Sequence, residues 1–106
     1  MITVYTTLPD MDTAKEISYN LIEDELVSCA NIHEVESVYR WQGEVVENGE
    51  IAVDFKTARN FQQVKDRLSE MHPYDTPLII TRNVEGVNND GESWIEQTSG
   101  TDAVNI

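Results

Sequence analysis

Two long stretches of alternating side chains lie back to back in the middle of the chain, and they constrain its fold more than any other feature. From Ser28 to Trp41, and again from Glu44 to Lys56, apolar residues recur every second position, the period of a half-buried strand. Gln42-Gly43 between them is a hairpin turn. Each arm runs to about 13 or 14 residues, far beyond the usual strand of about 5–6. In the first arm Ala30 and Ile32 share one phase, while Val35, Tyr39 and Trp41 share the other. The phase change predicts a bulge near His33-Glu34. In the second arm Ile51, Val53 and Phe55 face one way and Ala52, Asp54 and Lys56 the other. Asn48-Gly49 is read as a bulge there, because a turn at Gln42-Gly43 keeps both arms long.

The flanking segments complete a pattern. Ile2-Thr3-Val4-Tyr5-Thr6-Thr7 is β-branched and aromatic and stops at Leu8-Pro9-Asp10, a strand with a clean end. Asp10 or Asp12 is then a helix cap, and Thr13 with Glu16 has capping-box spacing. Ala14, Ile17, Leu21 and Ile22 form a one-sided helical stripe expected to run to about Leu26. After the hairpin, Thr57 is read as the cap of a second helix carrying Phe61, Val64, Leu68 and Met71 on one side, ended by Pro73. Leu78 to Glu85 reads as a fourth strand, and Glu92-Ser93-Trp94-Ile95-Glu96 as a short final helix after the Asn88-Asn89-Asp90-Gly91 turn. Residues 1–98 are expected to form one domain, and the aperiodic tail 99–106 to fray. The order β-α-β-β-α-β with a terminal helix predicts an α+β ferredoxin-like sandwich, with both main helices on one face of four antiparallel strands. A long hairpin projecting beyond that helix layer leaves apolar surface and strand edges open, so self-association is expected on physical grounds.

Charge bounds the partners. The chain of 106 residues carries 7 Lys+Arg against 20 Asp+Glu, a formal charge of −13. Phosphate backbones and anionic membrane surfaces need clustered cations, which excludes nucleic-acid and membrane-surface binding. Leu, Ile, Val and Phe supply about a quarter of the chain, above the roughly 20% level below which disorder is the default. Acidic residues occur in every segment, and Lys15, Lys56 and Lys65 are the only lysines. That distribution reads as adaptation to a salty cytoplasm, hence a halophilic source, rather than as a local cation trap. Cys29 stands alone and makes no intrachain disulfide. With no basic and apolar leader at the start and no apolar run of membrane-spanning length, a cytoplasmic protein is expected.

The motifs then become specific. Ser28-Cys29-Ala30-Asn31-Ile32 leads to Ser37-Val38-Tyr39-Arg40-Trp41-Gln42-Gly43-Glu44, then Lys56-Thr57, His72-Pro73-Tyr74-Asp75-Thr76-Pro77 and Trp94-Ile95. Together, in this order over roughly residues 2–97, they resemble the CutA family, the divalent-cation tolerance proteins. The resemblance implies a homotrimer similar in plan to the PII signalling proteins, in which hairpins pair between subunits. It implies tolerance of, or response to, copper and other divalent cations, with no catalytic activity. It also implies a metal or small-ligand cleft between subunits, with Trp41, Lys56, Tyr74, Asp75 and Trp94 as ligand-binding candidates and Cys29 and His72 as metal ligands. Some members carry a cysteine in the first strand and a second histidine beside the His-Pro-Tyr run. Here those positions are Thr6 and Met71. Thiolate and thioether suit Cu(I), and imidazole suits Cu(II) or Zn(II).

Each of these residues also has a plain structural reading. Cys29 packs as a small apolar side chain, the His72 ring bonds the last carbonyls of its helix, and His33 is solvated. Tyr39 and Trp41 pack subunits together, Trp94 anchors the last helix, and Lys56 pairs with Asp75 or Glu44. Two other functions compete with the leading one. A PII-like regulatory module would bind a metabolite and signal to a partner protein, though the chain has no Gly-rich phosphate loop. An enzyme using Cys29 as nucleophile and His72 as base would lack a group to orient the base.

Overall fold

The computed structural model describes residues 1–100. Strand β1 (Ile2–Leu8) leads into helix α1 (Met11–Glu23), then β2 (Cys29–Trp41), β3 (Glu44–Thr57), α2 (Phe61–Met71), β4 (Ile79–Asn83) and α3 (Asn89–Ser99). The four strands form one sheet in the order β2-β3-β1-β4, every neighbouring pair antiparallel. This is the ferredoxin-like order that the element sequence predicts. Positions 101–106, the rest of the expected frayed tail, lie outside the described residues. No helix among the described residues is long and apolar enough to cross a membrane.

One apolar cluster joins Val4 and Leu8 of β1, Ile51, Val53 and Phe55 of β3, Ala14, Ile17 and Leu21 of α1, and Val64 and Leu68 of α2. Alternation along the strands therefore puts both helices on a single sheet face. Asp10 caps α1, its carboxylate accepting from Thr13 N at 2.8 Å. The helix ends at Glu23, short of Leu26, because the chain turns through Glu25 at φ 57°. The amides of Leu26 and Val27 then close on Leu21 O. Asn60, not Thr57, caps α2, by accepting from Gln63 N at 2.9 Å. Thr57 ends β3 fully buried, its hydroxyl donating to Leu26 O at 2.6 Å and accepting from Arg59 N at 2.9 Å.

The hairpin corrects two expectations. Register runs unbroken from Cys29↔Lys56 to Trp41↔Glu44, so neither His33-Glu34 nor Asn48-Gly49 is a bulge. The change of phase in β2 has another origin. Near Ala30 and Ile32 the apolar residues face the helices; beyond the helix layer Val35, Tyr39 and Trp41 face the opposite side, which no helix covers. Gln42 and Gly43 turn the chain with φ of 51° and 81°, the left-handed pair of a type I′ turn.

At the other end of the molecule, α3 is longer than expected. Its anchors are Ile95, 5% exposed, and Ser99, fully buried; Trp94 is 48% exposed. Ser99 Oγ accepts from Ala58 N at 2.9 Å and donates to Ile95 O at 2.6 Å. Ser28 Oγ also donates to Ile95 O, at 2.9 Å. Order therefore extends past residue 98, and Trp94 is not the anchor within one chain, because its ring points off the packed side of the helix. Strand β4 is shorter than expected on both sides, bounded by Ile79 and Asn83.

Candidate functional site

The His-Pro-Tyr run lies between α2 and β4, and its geometry is set by His72. The backbone N–H of His72 caps α2 on Leu68 O at 2.9 Å. The ring turns away from the helix carbonyls. Tyr74 N donates to Nδ1 at 3.2 Å, so Nδ1 carries a lone pair and the ring proton resides on Nε2. Nε2 lies 2.9 Å from Thr6 Oγ1, which in turn donates to Leu78 O at 2.8 Å. The chain Nε2–H to Thr6 to Leu78 thus satisfies every polar atom in line. Burial holds the His72 pKa below the ordinary value of 6.5, against the opposing influence of a hydrogen bond at Thr7 and the Glu50 charge. Within the chain both ring nitrogens of His72 are engaged in hydrogen bonds, which pin the loop to β1.

Tyr74, so placed, reaches Glu50 on β3, its hydroxyl donating at 2.7 Å. Burial alone would raise the Glu50 pKa. Hydrogen bonds from Ser37, Tyr74 and Thr7 outweigh it and hold the carboxylate ionised below its ordinary range. The same burial, with Glu50 as neighbour, pushes the Tyr74 phenol well up, so it remains a donor. Glu50 is one acidic side chain among 20 and carries no motif; the β2–β3 register places it beside Ser37 and the β1–β3 register beside Thr7. An open groove of about 420 Å³ runs along this end of the sheet, between Pro9 and the Val35–Glu50 rung.

Cys29 and Lys56 face each other across β2 and β3 at the opposite end of the sheet. Both are on the face away from the helices, since their neighbour Phe55 points into the core. The Lys56 ammonium donates to Asn31 Oδ1, and Cys29 Sγ sits 3.8 Å from the same oxygen. This corrects two structural readings. Lys56 is not paired with Glu44, which belongs to the hairpin tip twelve residues away, nor with Asp75, which is exposed in the His-Pro-Tyr loop. Cys29 is partly exposed and stands outside the core cluster. His33 is exposed, as expected.

Cys29 and His72 do not converge within the chain. His72 bonds Thr6, whose side chain is on the helix face, whereas Cys29 is on the other face. Among the described residues no group of three or more His, Cys, Asp or Glu side chains is arranged to hold a metal ion. The ligand-binding candidates are dispersed as well: Trp41 at the hairpin tip, Tyr74 and Asp75 beyond the end of β1, Lys56 and Trp94 toward the other end. The chain measures 44 × 26 × 23 Å, so these are separate regions.

Comparison with known proteins settles the family. The family of CutA1 divalent ion tolerance proteins matches residues 2–98. The chain belongs to that family. The divalent-cation tolerance protein CutA of Pyrococcus horikoshii is 40% identical over 100 residues, covering 92% of this chain and 98% of its own. A crystal structure of CutA1 from that organism matches with a TM-score of 0.89 at 35% identity, over 95% of this chain and all of the other. A PII-like protein CutA from a Nostoc species, in apo form, gives 0.86 at 26% identity, over 93% of this chain and 97% of that one. The fold is thus the CutA and PII-like fold, with a four-stranded antiparallel sheet and three helices.

Proposed function

We propose that this CutA family member is a non-enzymatic, cytoplasmic homotrimer serving tolerance of or response to divalent cations, copper above all, with a metal or small-ligand cleft between subunits. The observation that carries the reading is dispersal. Trp41, Lys56, Tyr74, Asp75 and Trp94 occupy separate regions of one chain, and Cys29 is flanked by Asn31 and Lys56. The helix-free sheet face meanwhile leaves Tyr39 41%, Trp41 49% and Ile80 36% exposed, and β2 is a 13-residue edge strand. Apposed copies would cover that surface and bring one subunit's hairpin tip to another subunit's loop. The divalent-cation tolerance names of the relatives support the metal part of the reading.

Light scattering in about 2 M KCl, where charge repulsion is screened, is expected to give three times the 12.1 kDa chain mass. Calorimetric titration with Cu(II), Zn(II) and Mn(II) is expected to show tightest binding for copper, lost in Cys29→Ser. A monomer removes the shared cleft, and a Cys29→Ser variant that binds copper like the parent rules out ligation by that thiol. The likeness to a PII-like protein at a TM-score of 0.86 favours a second reading, a regulatory module for a metabolite. That reading calls for a partner protein whose capture depends on an added metabolite and is indifferent to copper.

A further inference from the structure

Helix α3 sits on the domain without belonging to its core. Its buried side chains are Ile95 and Ser99, and neither joins the apolar cluster shared by the sheet, α1 and α2. Polar bonds tie the helix to the body. Ser28 Oγ donates to Ile95 O at 2.9 Å, Ala58 N to Ser99 Oγ at 2.9 Å, and Arg59 Nε to Ser99 O at 2.7 Å. All of these lie in the C-terminal half of the helix, and its first turn has no side-chain cap. A helix of 11 residues is marginal in water on its own, so α3 keeps its shape only while this latch holds. Elements with few buried apolar contacts open at the low end of the range of local free energies.

The other side of α3 is not packed. A cavity of about 260 Å³ lies between Glu92 and Glu96 of the helix, Met1 and Ala58, and the segment 84–87 that leads into the helix. Glu85 lines it as well. Three carboxylates therefore share one cavity, no side-chain cation lines it, and none of the three is ion-paired among the described residues. At about 0.1 M salt the Debye length of about 10 Å exceeds the width of so small a cavity, so Glu85 repels Glu92 and Glu96 across it; at about 1 M it falls to about 3 Å and the repulsion is screened. The segment 84–88 is mostly exposed, and a side chain at Gly86 would meet nothing within 4 Å. It has the room a hinge needs.

We propose that α3 is a strap that unseats from the domain as a unit about the 84–88 hinge, breaking its bonds to Ser28, Ala58 and Arg59, and that ionic strength sets how often it opens. Trp94 is on the outer side of this helix, 48% exposed, so each opening displaces a ligand-binding candidate. The proposal rests on the small-ligand reading above for that consequence alone. The opening itself belongs to a single chain and needs neither ligand nor trimer.

Amide hydrogen exchange of the isotope-labelled full chain is followed residue by residue at about 0.1 and about 2 M KCl. At the lower salt, residues 93–99 and the Ala58 amide that Ser99 holds are expected to share one protection factor, about tenfold or more below that of β1 and of residues 51–55. At the higher salt that shared protection should rise by about threefold or more. Glu85→Gln combined with Glu96→Gln should bring it up at the lower salt toward the high-salt value. Glu16→Gln combined with Glu23→Gln removes the same charge from the exposed side of α1 and should leave α3 as in the parent. Exchange of α3 in step with β1 and β3 overturns the proposal, because the helix then opens only with the whole domain. Graded exchange along α3 with Ala58 still protected also overturns it, since the helix then frays in place. Equal effects of the two charge pairs reject repulsion across the cavity as the cause and the proposal with it. A chain that is monomeric by light scattering yet shows the shared, salt-dependent opening would sink the trimer and leave the strap standing.

Discussion

His72 shows how a single tautomer organises a loop. With Nδ1 accepting from Tyr74 N and Nε2–H directed at Thr6 Oγ1, a second proton would turn an acceptor into a donor facing another donor. Burial accordingly holds the folded-state pKa below 6.5. Below that pH the unfolded chain binds a proton that the folded chain refuses. The stabilisation is thus complete above 6.5 and is lost as pH falls from there through the folded value. Melting temperature should drop between about pH 7.5 and about pH 5.5 in the parent and be flatter in His72→Ala, which starts lower; a flat parent profile would contradict the tautomer argument. Glu50 acts in a lower window. Its depressed pKa gives stability that is present above 4.5 and lost as pH falls below it. Tyr74→Phe deletes the hydroxyl donor to Glu50 and should cost about 1–2 kcal/mol in denaturant unfolding. It should also raise the Glu50 pKa, observable by NMR titration. None of this was readable from residues 72–75 alone, because Thr6, Glu50 and Leu78 reach the loop only through the sheet.

The elements were more legible than their ends. Period two in 29–41 and 44–56, and helical stripes at Ala14-Ile17-Leu21 and Val64-Leu68, are consequences of one core, and that core exists. The misreadings arise where tertiary register overrules a local signal. Asn48-Gly49 is the stronger turn dipeptide, yet a turn there would pair β3 with its own start and take Phe55 away from Ala30. The two phases of β2 likewise look like a bulge until both faces of one strand are seen to need apolar residues, at different heights. Helix α3 runs longer than its apolar pattern predicts because its C-terminal anchor is Ser99, a residue with no apolar signal. Its hydroxyl joins Ala58 N to the helix, and Arg59 Nε, donating to Ser99 O at 2.7 Å, ties the same end down. Ser99→Ala leaves the Ala58 N–H without its partner and should destabilise by about 1–3 kcal/mol. Amide hydrogen exchange should accelerate in α3 and at Ala58 while the β2–β3 hairpin keeps its protection. Uniform acceleration would show that α3 unfolds only with the whole domain.

At the scale of the molecule, fold and charge oppose each other. The chain gathers 20 acidic side chains and a net −13 onto a body 44 Å in its longest dimension, and its ion pairs offer little return. The three pairs among the described residues involve only Lys65 and Arg67, on partly exposed side chains of α2, where such contacts contribute about 0–1 kcal/mol each. Self-repulsion is left to the solvent to relieve. At about 0.1 M salt the Debye length is about 10 Å, so carboxylates on neighbouring elements still repel; at about 1 M it is about 3 Å and they do not. The apolar cluster is unaffected by screening of this kind, so added salt should raise stability without changing the fold. Thermal unfolding midpoints should rise steeply between about 0.1 and 2 M KCl, and assembly measured by light scattering should follow the same course. Sucrose at matched osmolality separates the causes, because it favours burial through exclusion but screens nothing. Coincident unfolding curves at the two salt concentrations, or an equal rise in sucrose, would mean that the acidic surface is not under electrostatic strain. A rise specific to KCl would instead make the carboxylates a feature of the solvent in which this fold operates.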